Sequence, residues 1–347
     1  MRRNFGTAGL ALLAWAGTLA ALPPAIPAVA GDWATVIMYH RFGEAEYPST
    51  NINLEQFEAH IREIQRGGYT VLPLERIITA LKAGRDLPDP TLGLSADDGY
   101  LSIYSEAWPR LKAAGLPLTV FVSTDSIGRG LTNMMTWDQI RELVADGVTI
   151  GAHSRSHPHM PSLSAERIGA EIADSNARFR AELGFVPKLF AYPYGEYSLE
   201  IERLVRAAGY IAAFGQQSGV VHGDEDFFAL PRFAMNETYG SIGRFRLAAR
   251  ALPLRVTEVT PRDPVLRQVN PPPFGFTVAE KLKNLRQLAC FASNQSGPAR
   301  IERLGEARFE VRLEQPFKPG RGRINCTMPG PEGRWRWYGT QFYIPKD

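Results

Sequence analysis

From Trp33 to about Leu252, short apolar runs alternate with amphipathic segments. "WATVIMYH" has the length and apolar density of a buried strand. In "LEQFEAHIREIQRGG" (54–68), Leu54, Phe57, Ile61 and Ile64 recur at helical spacing before a Gly-Gly stop. The alternation then runs through "YTVL", a helix over 73–83, the strand "TLGLSA" and a helix near 102–114. The strand "LTVFVS" follows, then a helix from "TWDQIRELVADG" with Thr136 as its N-cap, and the strand "VTIGAH". A long helix over 164–183, the strand "KLFAYP", a helix near 198–208 and "YIAAF" close the series. Strand and helix alternating this regularly predict an α/β fold of βα units around a parallel sheet. Six to eight units fit a (β/α) barrel, incomplete or distorted, whose chemistry gathers at the carboxyl ends of its strands.

After Leu252 the texture changes. Six prolines between 253 and 273 predict a semi-rigid linker. Beyond it, "LACFASN", "ARFEVRLEQPF", "GRINCTMP" and "WRWYGTQFYI" read as short alternating strands of a small all-β sandwich over 274–347. The domain plan is a leader over 1–30, a main α/β domain over 31–252, the linker 253–273 and the β-domain. The leader rests on Arg2 and Arg3, an Ala- and Leu-rich stretch interrupted by Pro23, Pro24 and Pro27, and "AVA" before Gly31. That is the pattern of an export signal cut near Ala30, giving a periplasmic or secreted protein. Export to an oxidising compartment turns the only two cysteines, Cys290 and Cys326, into an expected disulfide.

Charge adds one feature. Without the leader the net charge falls from +3 to +1, yet residues 255–347 carry 16 Lys and Arg against 9 Asp and Glu. A basic β-domain suits contact with an anionic glycan or a membrane surface, with ordinary solvated charge as the bland alternative. Nothing in the chain calls for nucleic acid, and the sequence is silent on oligomeric state.

The residues able to do chemistry fall at strand ends: His40 after "VIMY", Asp97 and Asp98 after "LGLSA", His153 after "VTIGA", and Tyr194 just past "LFAYP". "HSRSHPH" holds three of the six histidines, His153, His157 and His159. Two imidazoles and one carboxylate make a suitable set for Zn²⁺, with a position left for water; Co²⁺ and Ni²⁺ tolerate the same ligands. Taken alone, the histidines also fit a polar loop that happens to be rich in them; the Asp-Asp pair at another strand end favours the metal.

"SADDGY", "HSRSH" and "AYPYG", in that order and spacing, resemble the signature segments of the family 4 carbohydrate esterases, the polysaccharide deacetylases with a NodB-like domain. "VIMYHRF" and "LEQFEAHIREIQRGGYTVLPL" further resemble the branch containing bacterial poly-N-acetylglucosamine deacetylases. The resemblance spans about residues 33–235. It implies metal-dependent hydrolysis of N-acetyl groups on an N-acetylglucosamine polysaccharide, releasing acetate. It assigns Asp97 as general base toward the attacking water and Asp98, His153 and His157 as metal ligands. Pro193 and Tyr194 fall in the segment whose backbone N–H holds the oxyanion, and His40 is the acid toward the leaving amine. Alternation along a strand would turn the two aspartates to opposite faces. Two departures stand out: Ala191 occupies the place where the family commonly has an Arg paired with the base, and Ser95-Ala96 replaces a hydroxyl-Phe pair. Arg232, in "FFALPRF", is the expected substitute cation.

Three rivals share parts of this reading: an O-acetyl esterase with the same metal site, a non-catalytic glycan binder, and a metal-free glycosidase, for which adjacent aspartates are poorly placed. Among other residues, Trp137 is expected at a helix start or bordering the cleft. Asp125 and Asn133 are expected on loops that could reach substrate, although polar loop residues usually do not; His60 is expected on solvated surface, and His222 in a loop without a partner. "GRWRWYG" (333–339) is expected either to stack on sugar or to alternate between core and surface.

Overall fold

The computed structural model describes residues 1, 2, 30–293 and 295–346, so the leader read over 1–30 lies almost wholly outside the described residues. Among those residues, no helix is long and apolar enough to cross a membrane.

The first half delivers the expected alternation: β1 Trp33–Tyr39, α1 Leu54–Arg66, β2 Thr70–Val71, α2 Leu74–Lys82, β3 Thr91–Ala96, α3 Trp108–Ala113 and β4 Thr119–Val122. Then come α4 Trp137–Ala145, β5 Thr149–Ala152, α5 Ala165–Leu183, β6 Leu189–Ala191, α6 Leu199–Ala207 and β7 Ala212–Phe214. Helix starts follow local chemistry. Asn53, Ser164 and Ser198 cap α1, α5 and α6 through their side chains, and Thr136 and Gln139 form a reciprocal capping box on α4. Strands β7, β6, β5, β4, β3 and β1 lie side by side in that order, all parallel.

These strands read as continuous apolar runs because both faces are covered. Ile37, Tyr39, Leu92, Leu94, Val120 and Phe190 pack with the outer helices. Their neighbours Ala34, Val36, Phe121, Leu189, Ala212 and Phe214 form a separate cluster with Leu74 and Ile77 of α2. The barrel is distorted at its seam. Three later elements, β8 Val221–His222, β9 Phe233–Ala234 and α7 Ile242–Ala249, work there. β8 pairs antiparallel and β9 parallel with β1. The segment leading into β9 also bonds β7, with Leu230 N–H donating to Ala213 O (3.0 Å) and Gly215 N–H to Leu230 O (2.9 Å). Residues 230–234 therefore stretch across the gap between the last strand and the first, and Arg232 lies in the middle of that span.

The C-terminal strands are β10 Leu252–Pro253, β11 Val256–Thr260, β12 Phe274–Val278, β13 Ala289–Ala292, β14 Arg300–Leu304, β15 Arg308–Arg312, β16 Gly320–Pro329 and β17 Trp335–Ile344. They form two four-stranded sheets, ordered β10-β17-β16-β13 and β11-β12-β15-β14, around Phe274, Phe276, Phe309, Val311 and Phe342. Cys290 and Cys326 face each other across β13 and β16 and are joined by a disulfide. Within 253–273, read from the sequence as a linker, Val256–Thr260 is a strand paired with β12. Proline breaks the stretch but leaves these five residues free to pair.

The expectations at His60 and His222 change, and the alternatives at Trp137 resolve to the helix start. His60 is fully buried. Its Nε2 lies 2.8 Å from Gly240 O, which only accepts, so Nε2 carries the proton and Nδ1 accepts from the Tyr39 hydroxyl at 3.0 Å. Trp137 starts α4 but points into the core, edge-on to Phe179, away from any cleft. His222 is buried in β8, with Arg255 3.2 Å from its Nδ1.

Burial lowers the pKa of His60 to about 4 and, with help from Arg255, that of His222 to about 4 as well. Both stay neutral in the fold while the unfolded chain binds protons from about pH 6.5 downward. Their contribution is complete above pH 6.5 and is lost between pH 6.5 and 4, at about 1.4 kcal/mol per proton per pH unit. Urea denaturation should show His60→Gln less stable than wild type at pH 7, with the gap narrowing as the pH approaches 4.5. A constant gap would show that His60 does not titrate on unfolding.

Candidate active site

Asp97 continues the alternation of β3. Ser95 and Asp97 lie on the face opposite Leu94 and Ala96, turned into the barrel, and Asp97 is fully buried. There it meets Arg232 in a two-pronged pair, Nη1 to Oδ1 at 2.6 Å and Nη2 to Oδ2 at 2.7 Å. Arg232 Nε donates to Gly215 O at 3.0 Å, Nη1 also reaches Ser95 Oγ at 3.3 Å, and the Phe121 and Phe214 rings flank the guanidinium. Burial opposes the charge on Asp97, but Arg232 and the nearby imidazoles outweigh it and hold the carboxyl below its ordinary pKa.

Asp98 does not follow the strand. Its φ is +76°, in the left-handed region that Asp tolerates better than most residues, so the chain turns out of β3 at this point. The divergence of the two carboxylates comes from this turn as well as from strand alternation. Ser154 (φ +63°), His157 (+58°) and Tyr194 (+59°) share the left-handed conformation, which brings three separate loops over one spot at the strand ends.

Asp98 Oδ1 lies 3.3 Å from His153 Nε2 and 3.2 Å from His157 Nε2. Despite that proximity, Asp98 Oδ1 and His153 Nε2 are buried without a hydrogen-bond partner. His153 Nδ1 donates to Ala191 O at 2.7 Å, which leaves a bare lone pair on Nε2. Donor atoms from Asp98, His153 and His157 lie within 4.8 Å of one another. Orphaned buried atoms, a fixed tautomer and an N₂O donor set together fit a divalent cation of the zinc type. Against the effect of burial, the surrounding imidazoles keep Asp98 well below the usual carboxylate range, so it is ionised and ready to ligate. For His153 the sign is reversed: burial lowers its pKa, but the two carboxylates outweigh that and raise it.

A cleft of about 550 Å³ opens over these atoms. His40, Asp98, Tyr100, His157 and Tyr194 line it, with Arg321 and Arg323 of β16 on its far wall. Asp97, His153 and Arg232 are fully buried. Burial lowers the pKa of His40, so its neutral form is favoured despite the two aspartates. The Tyr194 ring packs edge-on against His157 (4.4 Å) and flat on His159 (4.2 Å), whose Nδ1 lies 2.7 Å from buried Glu196. The β-domain braces this loop, as Gln341 Nε2 donates to Tyr194 O at 3.0 Å and the Tyr343 hydroxyl meets Ser162 Oγ at 2.6 Å.

Several expected contacts go elsewhere. Asp125 pairs with Arg129 and Arg155, and neither it nor Asn133 lines the cleft. In "GRWRWYG", Arg334 pairs with Asp89, Arg336 donates to Pro253 O and Trp337 packs on Phe233. Glu196, Arg321, Arg323 and Gln341 were not anticipated; the one available signal was strand alternation in "GRGRINC", which puts two arginines on one face.

The profile of the polysaccharide deacetylase family matches residues 84–213. The YxkH protein of Bacillus subtilis (strain 168) is 26% identical over 197 residues, covering 57% of this chain and 69% of that protein. The poly-β-1,6-N-acetyl-D-glucosamine N-deacetylase of Staphylococcus aureus (strain MSSA476) is 22% identical over 212 residues, covering 58% and 73%. Among solved structures, the Streptococcus pyogenes deacetylase PplD, in complex with acetate, superposes with a TM-score of 0.58 at 21% identity, over 62% of this chain and 98% of that one. IcaB from Ammonifex degensii gives 0.57 at 24% identity, over 64% and 98%. These structural likenesses show a shared fold. The matched segment includes Asp97, Asp98, His153, His157 and Tyr194 and leaves out His40 and Arg232. By that match, residues 84–213 carry a polysaccharide deacetylase domain.

Proposed function

We propose that this chain removes N-acetyl groups from an N-acetylglucosamine-containing polysaccharide, releasing acetate, with a divalent cation held by Asp98, His153 and His157. The observation that carries the reading is the convergence of Asp98 Oδ1 and His153 Nε2, both buried and unpartnered, with His157 Nε2 at the floor of an open cleft. A bound cation would polarise the acetyl carbonyl and lower the pKa of an attacking water. The chain's own residues supply the rest. Asp97, kept ionised by Arg232, is the base toward the water. His40, which lines the same cleft, is the acid toward the departing amine in its protonated form, the minor form at rest. The Tyr194 segment, fixed from behind by Gln341, presents its backbone N–H to the developing oxyanion. The leader and the disulfide support export as the setting.

Acetate release from β-1,4- and β-1,6-linked N-acetylglucosamine oligomers, with metal content determined on the same protein, tests the assignment. Release should depend on metal and fall at least about 100-fold in Asp98→Asn, which removes one ligand charge. Release from an O-acetylated glycan alone would replace the amide reading with the ester one, and a wild-type chain that binds no metal would end both.

Arg232 gives a separate test. Arg232→Lys keeps a cation but loses the second prong, so kcat should fall about 10- to 100-fold with metal content unchanged. Weaker pairing lets the Asp97 pKa rise, so the acidic limb of kcat/KM should move to higher pH. An unaltered rate and profile would remove Arg232 from the mechanism.

A further inference from the structure

Several arginines of the β-domain are neutralised locally. Arg255 pairs with Asp32, Asp224 and Glu280, Arg308 with Glu310, Arg312 with Glu302, and Arg334 with Asp89. Two are not. Arg321 and Arg323 lie two apart on β16, so the strand turns both toward the same side, and both line the cleft that holds Asp98, His157 and Tyr194. Arg323 is half-buried. Its Nε donates to Gln341 Oε1 at 2.9 Å, and among the described residues it makes no ion pair. Burial, reinforced by the charge of Arg321, lowers its pKa below the ordinary arginine value. The nearest acid to Arg321 is Glu196, at 3.9 Å, and the other oxygen of Glu196 is already held by His159 at 2.7 Å.

A half-buried guanidinium without a counter-charge, placed beside a second one, is unfavourable for the free protein. The arrangement becomes favourable when an oxyanion enters, because the guanidinium fork matches a carboxylate or phosphate in a charge-assisted pair. Arg321 and Arg323 share the cleft with the reacting residues, so the group they suit belongs to the substrate rather than to a distant surface.

We propose that the β-domain supplies an anion-binding subsite to the cleft, in which Arg323 and Arg321 take a carboxylate or phosphate ester carried by the polymer next to the sugar being deacetylated. This rests on the deacetylase reading and adds the substrate class: an anionic glycan rather than a neutral homopolymer.

The test uses the full chain and three oligomers of equal length. One is neutral β-1,6-linked N-acetylglucosamine, one alternates N-acetylglucosamine with a uronic acid, and one carries 6-phosphate esters. Kd is measured by calorimetry and acetate release is followed in parallel. At low salt at least one anionic oligomer should bind about 10-fold or more tightly than the neutral one, with the preference shrinking as salt is added. Arg323→Gln and Arg321→Gln, with melting temperatures checked against wild type, should cut that preference to about twofold or less. The tighter of the two anionic arms identifies the oxyanion. Equal binding of all three oligomers, or an intact preference in Arg323→Gln, overturns the subsite. Arginine-dependent preference without acetate release keeps the subsite and removes the deacetylase reading, whereas acetate release without preference does the reverse.

Discussion

The pair between Arg232 and Asp97 is the constraint around which the catalytic end of the barrel is arranged. Both groups are fully buried, and two charges taken out of water are tolerated only with close geometry and full hydrogen bonding. That condition is met by two short parallel bonds, by Gly215 O on the Nε proton and by Ser95 Oγ near Nη1. Because Arg232 comes from the segment that spans the barrel seam, the pair ties the closure of the sheet to the placement of Asp97. A buried pair of this kind contributes little net stability compared with apolar packing. What it supplies is a fixed, ionised carboxylate behind the cleft.

The second organising fact is the way the β-domain meets the barrel. Gln341 hydrogen-bonds the Tyr194 carbonyl with one end of its amide and Arg323 with the other, joining the loop beside the candidate ligands to the far wall of the cleft. Arg334 and Arg255 clamp the opposite side through Asp89 and Asp32. The β-domain is thus a wall of the cleft, not a module hung from a tether. Part of its basic character goes into internal and inter-domain pairing, while Arg321 and Arg323 face the cleft where substrate would lie.

Much of this was legible in the sequence, for identifiable reasons. Parallel strands covered on both faces leave unbroken apolar runs, and helices with capped starts and one apolar stripe leave a 3.6-residue period, so β1, β3 to β7 and α1 to α6 could be read directly. The seam could not be, because two-residue strands such as β8 and β9 carry no periodic signal and are defined by what they pair with. His60 shows a missed inference: it stands between Phe57, Ile61 and Ile64 on the stripe that faces the core, and its polarity masked its position. The site was readable as a set of strand-end residues, while the unusual backbone that assembles them was not. Arg232 was suggested by the missing arginine at Ala191, whereas Glu196 draws its meaning from His159 and Arg321 on two other elements, and Arg323 from a cleft it shares with residues of the barrel such as Tyr194.

The left-handed backbone at Asp98, His157 and Tyr194 has a consequence for how such a site would decay. Each position is held in a conformation that glycine and asparagine accept easily and that β-branched residues resist. Once selection for chemistry relaxed, the least disruptive drift would run toward Gly or Asn at these three places, leaving the loops in shape but empty of donors. A descendant that had kept the barrel and lost the reaction would carry that trace, whereas Val, Ile or Thr at the same positions would mark loops that had been rebuilt.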